Sequence, residues 1–332
     1  MIAIHGLGRI GRLALRRLAR VPGLPLAAVN ELADARTLVH LLKHDTVHGP
    51  CPFPVAFEEG ALLLDGRRVP LLREADPERL PFGALGARVV LDCTGRCADR
   101  ASAARHLRNG VTRVLVSAPL PDADATLAPG VNDEAFDPSR HTVLSAGSGT
   151  TQALAPVAKV LDESFGIAHA LVTAVHAYTN DQNILDLPNR TLRYARAATL
   201  SMIPAPSRAP EALPRVLPGL EGRLSGGAVR VPTPDVSLLD LGALLKRSAT
   251  AEDVNAALRA AAEGPLRGYL EVLDEELVSA DLVGREASSL VDPFLTRVSG
   301  GRLAKVYAWY DNEAAYAARL AELALRILEA AR

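Results

Sequence analysis

Apolar residues in the first part of the chain form short runs that alternate with segments of helical spacing. Residues 2–4, 25–30 and 88–93 are predicted strands, and residues 10–19 carry apolar side chains at the spacing of a helix. Apolar runs at 114–116 and 142–144 continue the series. Strands that alternate with helices are typical of βαβ units and of a mostly parallel sheet.

The pattern changes after about residue 150. We predict helices over 150–165, over 252–263 and from residue 312 to the end, with strands over 170–174, 228–231, 236–241 and 303–309. Residues 178–210 are polar, punctuated by proline and without a regular period. A loop of this length is usually functional or part of an interface.

Composition narrows the class of protein. The 332 residues are 48% hydrophobic and 23% charged, which is typical of a soluble globular protein of two domains. The formal net charge of -1 gives no reason to expect a nucleic-acid partner, and no apolar run approaches the roughly 20 residues of a membrane span. The three cysteines form neither a disulfide nor a metal-ligand pattern, so we expect no metal and a cytoplasmic location.

A glycine motif follows the first predicted strand. Gly6, Gly8 and Gly11 form G-x-G-x-x-G where a helix begins, which is the arrangement that brings a dinucleotide pyrophosphate to a helix N-terminus. Glu31 lies 20 residues after Gly11, at the end of the second strand, where a carboxylate binds ribose hydroxyls. Because this carboxylate would repel a 2′-phosphate, the motif favours NAD over NADP.

Six segments together resemble the glyceraldehyde-3-phosphate dehydrogenase family. They are residues 6–12 (GLGRIGR), 29–32 with 41–49 (VNEL, LLKHDTVHG), 117–119 (SAP), 176–182 (HAYTNDQ), 230–234 (RVPTP) and 309–313 (WYDNE), in the order and spacing of that family. The resemblance implies an α/β protein with a Rossmann-type doubly wound NAD-binding domain, residues 1–148 and 312–332. It also implies an α+β catalytic domain with a mixed sheet, residues 149–311, and a homotetramer or homodimer with segment 178–202 at a subunit interface.

The resemblance also assigns roles to individual positions. The residues implied to bind the cofactor, which is NAD, are Gly6, Gly8, Arg9, Ile10, Gly11, Glu31, Thr94, Gly95, Ser117 and Asn312. The residues implied to bind a phosphorylated substrate or phosphate are Ser148, Thr150, Thr179, Arg196 and Arg230. His176 matches the catalytic base, and Leu187 with Pro188 matches members that prefer NAD.

The position of the family's nucleophile is occupied by glycine. The family reads SNASCTTNC where residues 145–153 of this chain read SAGSGTTQA, so that Gly149 replaces the catalytic cysteine. The usual reaction passes through a covalent thiohemiacetal and thioester, and glycine offers no atom to form them. Ala146, Gly147, Gln152 and Ala153 also depart from the family, which favours natural divergence over a deliberate single-residue knock-out.

Three functions remain open from the sequence. The first is an NAD-dependent oxidoreductase that transfers hydride to or from an anionic, phosphorylated small molecule without a covalent intermediate. The second is an NAD-binding pseudoenzyme with a regulatory or scaffolding role. The third is an inactivated variant of an ordinary phosphorylating dehydrogenase. The sequence specifies neither the substrate nor the direction of hydride transfer, and the dinucleotide could itself be the substrate.

Overall fold

A computed structural model describes residues 1–23 and 26–331. It divides into two compact units. Unit 1 comprises residues 1–127, 133–148 and the described residues from 316 onward, and unit 2 comprises residues 128–132 and 149–315. Residues 128–132 and 312–315 thus group with unit 2, whereas the resemblance implied that both belong to the nucleotide domain.

Strands and helices alternate along most of the chain. The helices are α1 (Arg9–Ala19), α2 (Ala35–Lys43), α3 (Arg100–Ala104), α4 (Gly149–Phe165), α5 (Ala209–Ala212), α6 (Ala251–Glu263) and α7 (Ala314–Glu329). The strands are β1 (Ile2–His5), β2 (Leu26–Asn30), β3 (Val55–Glu58), β4 (Ala61–Leu64), β5 (Arg67–Leu72), β6 (Val89–Asp92), β7 (Arg113–Val116), β8 (Ala125–Thr126), β9 (Val143–Ser145), β10 (Ile167–Ala177), β11 (Ile203–Ala205), β12 (Leu224–Val231), β13 (Ser237–Leu245), β14 (Leu270–Val272), β15 (Ser289–Ser299) and β16 (Leu303–Tyr310).

Unit 1 is built on a nine-stranded sheet in the order β3-β4-β5-β2-β1-β6-β7-β9-β8. Strands β5, β2, β1, β6, β7, β9 and β8 pair in parallel, as the alternating pattern predicts. Every residue of β1 and β6 is buried, because helices cover both faces of a parallel sheet. Leu320, Leu323 and Ile327 bring the C-terminal helix α7 into the same core.

The antiparallel edge of this sheet was not predicted. Strands β3, β4 and β5 pair antiparallel through tight turns at residues 59–60 and 65–66. Their apolar residues neither alternate cleanly nor form a long run, so periodicity gives little signal there. The part of the predicted second strand that falls at residue 25 lies outside the described residues.

Unit 2 is built on a seven-stranded mixed sheet in the order β11-β12-β10-β13-β16-β15-β14. Strand β10 alternates buried and accessible residues, as does β13, because one face packs on α4 and the other does not. Strand β10 extends beyond the predicted 170–174 at both ends, and β13 begins one residue later than the predicted 236–241 and ends four residues later. The last helix begins at Ala314, two residues later than predicted.

Within the described part of the chain, no helix combines the length and the apolar character that crossing a membrane would require.

Candidate nucleotide and anion sites

The glycine loop of unit 1 is shaped by close backbone contacts. Gly6 has φ +90°, and a Cβ there would lie 2.9 Å from the backbone of Thr94. At Gly11 a Cβ would lie 2.0 Å from the carbonyl oxygen of Gly6, so helix α1 can approach the loop only without a side chain at this position. The first N–H groups of α1 therefore face the loop with no partner inside the helix, as anion binding requires.

Glu31, the residue directly after β2, accepts a hydrogen bond from the backbone of this loop. Its Oε2 accepts a hydrogen bond from the N–H of Leu7 at 2.7 Å, and its Oε1 accepts one from the N–H of Leu32 at 2.7 Å. A carboxylate oxygen accepts more than one hydrogen bond, so the side chain keeps capacity for ribose hydroxyls.

Arg9 and Ile10 form the first turn of α1. The Arg9 guanidinium donates to Asp45 Oδ1 at 3.2 Å. Burial raises the pKa of Asp45, but hydrogen bonds from the backbone of His48 and Val47 and from Arg9 outweigh it and lower the pKa to about 2. A carboxylate that remains ionised thus keeps the Arg9 side chain beside the glycine loop.

The other predicted cofactor residues of unit 1 surround the end of β6. Asp92 Oδ1 accepts from both the N–H and the Oγ1 of Thr94, at 2.9 and 2.7 Å. The carbonyl of Asp92 accepts from Ser117 N at 2.9 Å, and Gly95 follows in a left-handed conformation. The carboxyl ends of β1, β6 and β7 therefore bring Gly6, Thr94 and Ser117 to one edge of the sheet, where open α/β sheets bind ligands.

In unit 2, His176 and Arg230 lie opposite each other on the paired strands β10 and β12. Arg230 Nη1 is 2.6 Å from His176 Nδ1, and the same ring nitrogen is 2.7 Å from the carbonyl oxygen of Ala177. Burial, and then the charge of Arg230, lower the pKa of His176 to about 4, so the imidazole is neutral at pH 7. One nitrogen cannot accept from Arg230 and donate to Ala177 at once, so the proton position depends on which contact is kept.

Tyr310 connects this pair to the start of α4. Its hydroxyl is 2.9 Å from Thr150 Oγ1, and its ring meets that of His176 edge-on at 6.0 Å between centroids. The side chain is buried, and burial raises the pKa of Tyr310 to about 12, so the hydroxyl keeps its proton. Sequence reasoning missed Tyr310, although it lies inside the quoted segment 309–313.

Ser237 links Asn312 to the end of β10. Its hydroxyl donates to Asn312 Oδ1 at 2.6 Å and accepts from the N–H of Ala177 at 3.1 Å. The preceding residue, Val236, has φ +63°, which is a strained conformation for a β-branched side chain and is found mostly at functional positions. Ser237 is a second functional candidate that the sequence alone did not indicate.

The other residues predicted to bind phosphate, and Gly149 at the nucleophile position, lie in different surroundings. Gly149 is the first residue of α4 and is half-buried, as is Ser148 just before it. Thr179 donates its hydroxyl to Asp181, two residues later in the same loop. Arg196 does not join the His176–Arg230 pair; it forms an exposed ion pair with Asp186, at 2.9 Å between Nε and Oδ2.

These features define a protein with a Rossmann-type dinucleotide unit and a second unit that carries a histidine–arginine pair. Residues 1–100 match the family model described as "Glyceraldehyde 3-phosphate dehydrogenase, NAD binding domain", and residues 148–312 match "Glyceraldehyde 3-phosphate dehydrogenase, C-terminal domain". The chain is 48% identical to the glyceraldehyde-3-phosphate dehydrogenase of Geobacillus stearothermophilus over 326 residues, which cover 98% of this chain and 97% of that protein. It is 48% identical over 320 residues to the protein of that name from Kitasatospora aureofaciens, with 96% of each chain covered.

The chain therefore belongs to the glyceraldehyde-3-phosphate dehydrogenase family. This confirms the resemblance on which the expected fold was based, and it confirms NAD as the nucleotide of the first domain.

Proposed function

We propose that this chain is an NAD-dependent oxidoreductase that acts on an anionic, phosphorylated carbonyl compound or alcohol without a covalent enzyme intermediate. Gly149 in place of a nucleophile carries this proposal, together with the retained pair of His176 and Arg230. A protein that had lost all chemistry would have no reason to keep a half-buried arginine against a histidine.

Bound NAD would supply or accept the hydride. His176 would move the proton that accompanies it, at Nε2, because Nδ1 is occupied by Arg230 and Ala177. In the tautomer that accepts from Arg230 at Nδ1, the proton sits on Nε2 and can pass to a carbonyl oxygen. This transfer leaves an imidazolate beside the Arg230 cation, and solvent then returns a proton to Nε2. In the other tautomer, Nε2 is free to take a proton from an alcohol. The lowered pKa makes either neutral form available at pH 7.

The anion would be held by Arg230 and by the start of α4. Within residues 1–23 and 26–331, the buried Nε of Arg230 has no hydrogen-bond partner, so the guanidinium keeps a donor for a ligand. The first N–H groups of the 17-residue helix α4, at Gly149 and Thr150, are free by the geometry of a helix and carry partial positive charge. Thr179 would add a hydroxyl donor after exchanging Asp181 for the ligand, Ser148 would add a second hydroxyl, and Asn312 would orient the nicotinamide amide. Arg196, in its exposed ion pair, would act only after exchanging Asp186 for the ligand.

The test is turnover without a covalent adduct. Purified protein is incubated with NADH and a panel of phosphorylated aldehydes and ketones, the absorbance of NADH is followed, and the intact mass is measured during turnover. The proposal expects NADH consumption with an unchanged protein mass, and loss of activity in Arg230→Gln. Tight NAD binding with no turnover of any compound, in either direction, would instead favour the pseudoenzyme. A mass increase equal to the added carbonyl compound, or to its acyl group, would contradict a non-covalent route.

We also propose that the chain assembles through segment 178–202, as a homotetramer or homodimer in the cytoplasm. This segment holds six exposed large apolar side chains. Leu192 is 86% exposed and Leu200 is 79% exposed, and Ile184, Leu185, Leu187 and Met202 are also exposed. Apolar side chains clustered in this way on one loop are typical of a surface that is covered in an assembly.

A further inference from the structure

A buried cluster of two histidines and an aspartate lies beneath the glycine loop of unit 1. His5 ends β1, Asp92 ends β6, and His106 follows α3. Their exposed fractions are 8%, 2% and 2%. The three residues are far apart in the sequence, so spacing alone does not predict the cluster.

Three potential metal-ligand atoms of this cluster form a nearly equilateral triangle. His5 Nδ1 and His106 Nε2 are 3.2 Å apart, and Asp92 Oδ2 lies 3.4 Å from the first and 3.1 Å from the second. Bonds of about 2.0–2.1 Å in a tetrahedral zinc site place neighbouring ligand atoms about 3.3 Å apart. The triangle therefore has the dimensions of three ligands on one ion.

Hydrogen bonds alone would satisfy the polar atoms of this cluster less completely than a bound cation would. If His5 Nδ1 and His106 Nε2 both carry protons and donate to Asp92 Oδ2, their two N–H groups lie 3.2 Å apart with no hydrogen bond between them. If only His106 Nε2 carries a proton, His5 Nδ1 and Asp92 Oδ2 must share it. His106 Nδ1 has no hydrogen-bond partner within residues 1–23 and 26–331, so all polar contacts of this ring are on the side that faces the cluster. A cation at the centre would satisfy both nitrogens and the carboxylate oxygen together.

We propose that His5, Asp92 and His106 bind a divalent transition metal ion of the zinc type as a structural site. Two imidazoles and one carboxylate are a ligand set that such ions prefer, and complete burial favours a structural role over a catalytic one. The ion would join the ends of β1 and β6, directly before Gly6 and Thr94 of the nucleotide site.

The test uses Co²⁺ as a spectroscopic substitute for zinc. The full chain is produced in cells supplied with Co²⁺ and purified without chelator, and the metal per chain is measured together with visible absorption. The proposal expects one ion per chain, the intense visible bands of tetrahedral Co²⁺, and loss of both in His106→Gln and in His5→Asn. Circular dichroism and NAD binding check that the variants fold, and His5→Asn is the milder change if His106→Gln does not.

A matched control removes the exposed histidine pair at the end of α2. The rings of His40 and His44 are 5.0 Å apart and could bind metal at the surface, so the double variant His40→Gln, His44→Gln should keep the bands. Folded wild-type protein that binds NAD but carries no Co²⁺ above background would overturn the proposal. So would bands that persist in both single variants, or bands that disappear in the control.

Discussion

Adding one methyl group at Gly11 should damage both the stability and the cofactor site of unit 1. A Cβ at this position would lie 2.0 Å from Gly6 O, more than an ångström inside an ordinary carbon–oxygen contact. The obstacle is backbone, so helix α1 must move away from the loop. Forcing extra atoms into a packed site costs about 1–3 kcal/mol. At about 2–4 °C per kcal/mol for a domain of this size, Gly11→Ala should lower the melting temperature by several degrees.

The same displacement should weaken NAD binding, because the N–H groups at the start of α1 move with the helix. We expect a loss of about tenfold or more in affinity, measured by calorimetric titration with NAD, next to thermal unfolding of the free protein.

Gly8→Ala is the matched control for this change. No atom lies within 4 Å of a Cβ at Gly8 in the free protein, so the melting temperature should stay near that of the wild type. The added methyl would still obstruct the pyrophosphate, so NAD affinity should fall. The reasoning would be refuted if Gly11→Ala melted and bound NAD like the wild type, or if Gly8→Ala were destabilised as strongly as Gly11→Ala.

Three further changes test unit 2. The pKa of His176 is about 4 in the folded protein and 6.5 in the unfolded chain. Because the unfolded chain therefore binds the extra proton, the free energy of unfolding should fall as pH drops from 6.5 to 4. In His176→Asn, chemical denaturation at several pH values should show less of this fall. Tyr310→Phe removes the hydroxyl that meets Thr150 and should cost about 1 kcal/mol in urea unfolding, and an unchanged stability would mean that this hydrogen bond contributes nothing. Leu192→Glu should dissociate the assembly in analytical ultracentrifugation. The control Leu41→Glu, which changes a 39%-exposed leucine in α2, should leave the assembly intact. Equal behaviour of the two variants would argue against segment 178–202 as the interface.

The sequence predicted the parallel part of the fold well, because buried strands and amphipathic helices leave strong periodic signals. Helix α4 was predicted within one residue, and β1, α1 and β6 differ from the prediction only at their ends. The antiparallel strands β3–β5 were missed, since short edge strands held by turns have little periodicity of their own.

The candidate site was predictable only where a motif or a resemblance marks it. Gly6, Gly11 and Glu31 follow from the physical demands of a dinucleotide loop, and their contacts agree with those demands. Tyr310 and Ser237 become visible only when paired strands bring them to His176 and Ala177, and no spacing in the sequence encodes that register. The His5–Asp92–His106 cluster depends in the same way on strand ends that meet in the folded chain.

Restoring a thiol at the start of α4 tests the central claim most directly. Gly149→Cys and the parent protein are assayed side by side for phosphate-dependent NADH formation from glyceraldehyde-3-phosphate, with NAD binding measured for both. If Gly149 marks a pocket that now serves another anionic substrate, both proteins should bind NAD and neither should form NADH from this aldehyde. Strong activity in Gly149→Cys alone would contradict that account and identify the parent as an inactivated dehydrogenase or a recent pseudoenzyme. Phosphate-dependent activity in the parent itself would refute the loss of the family's reaction outright.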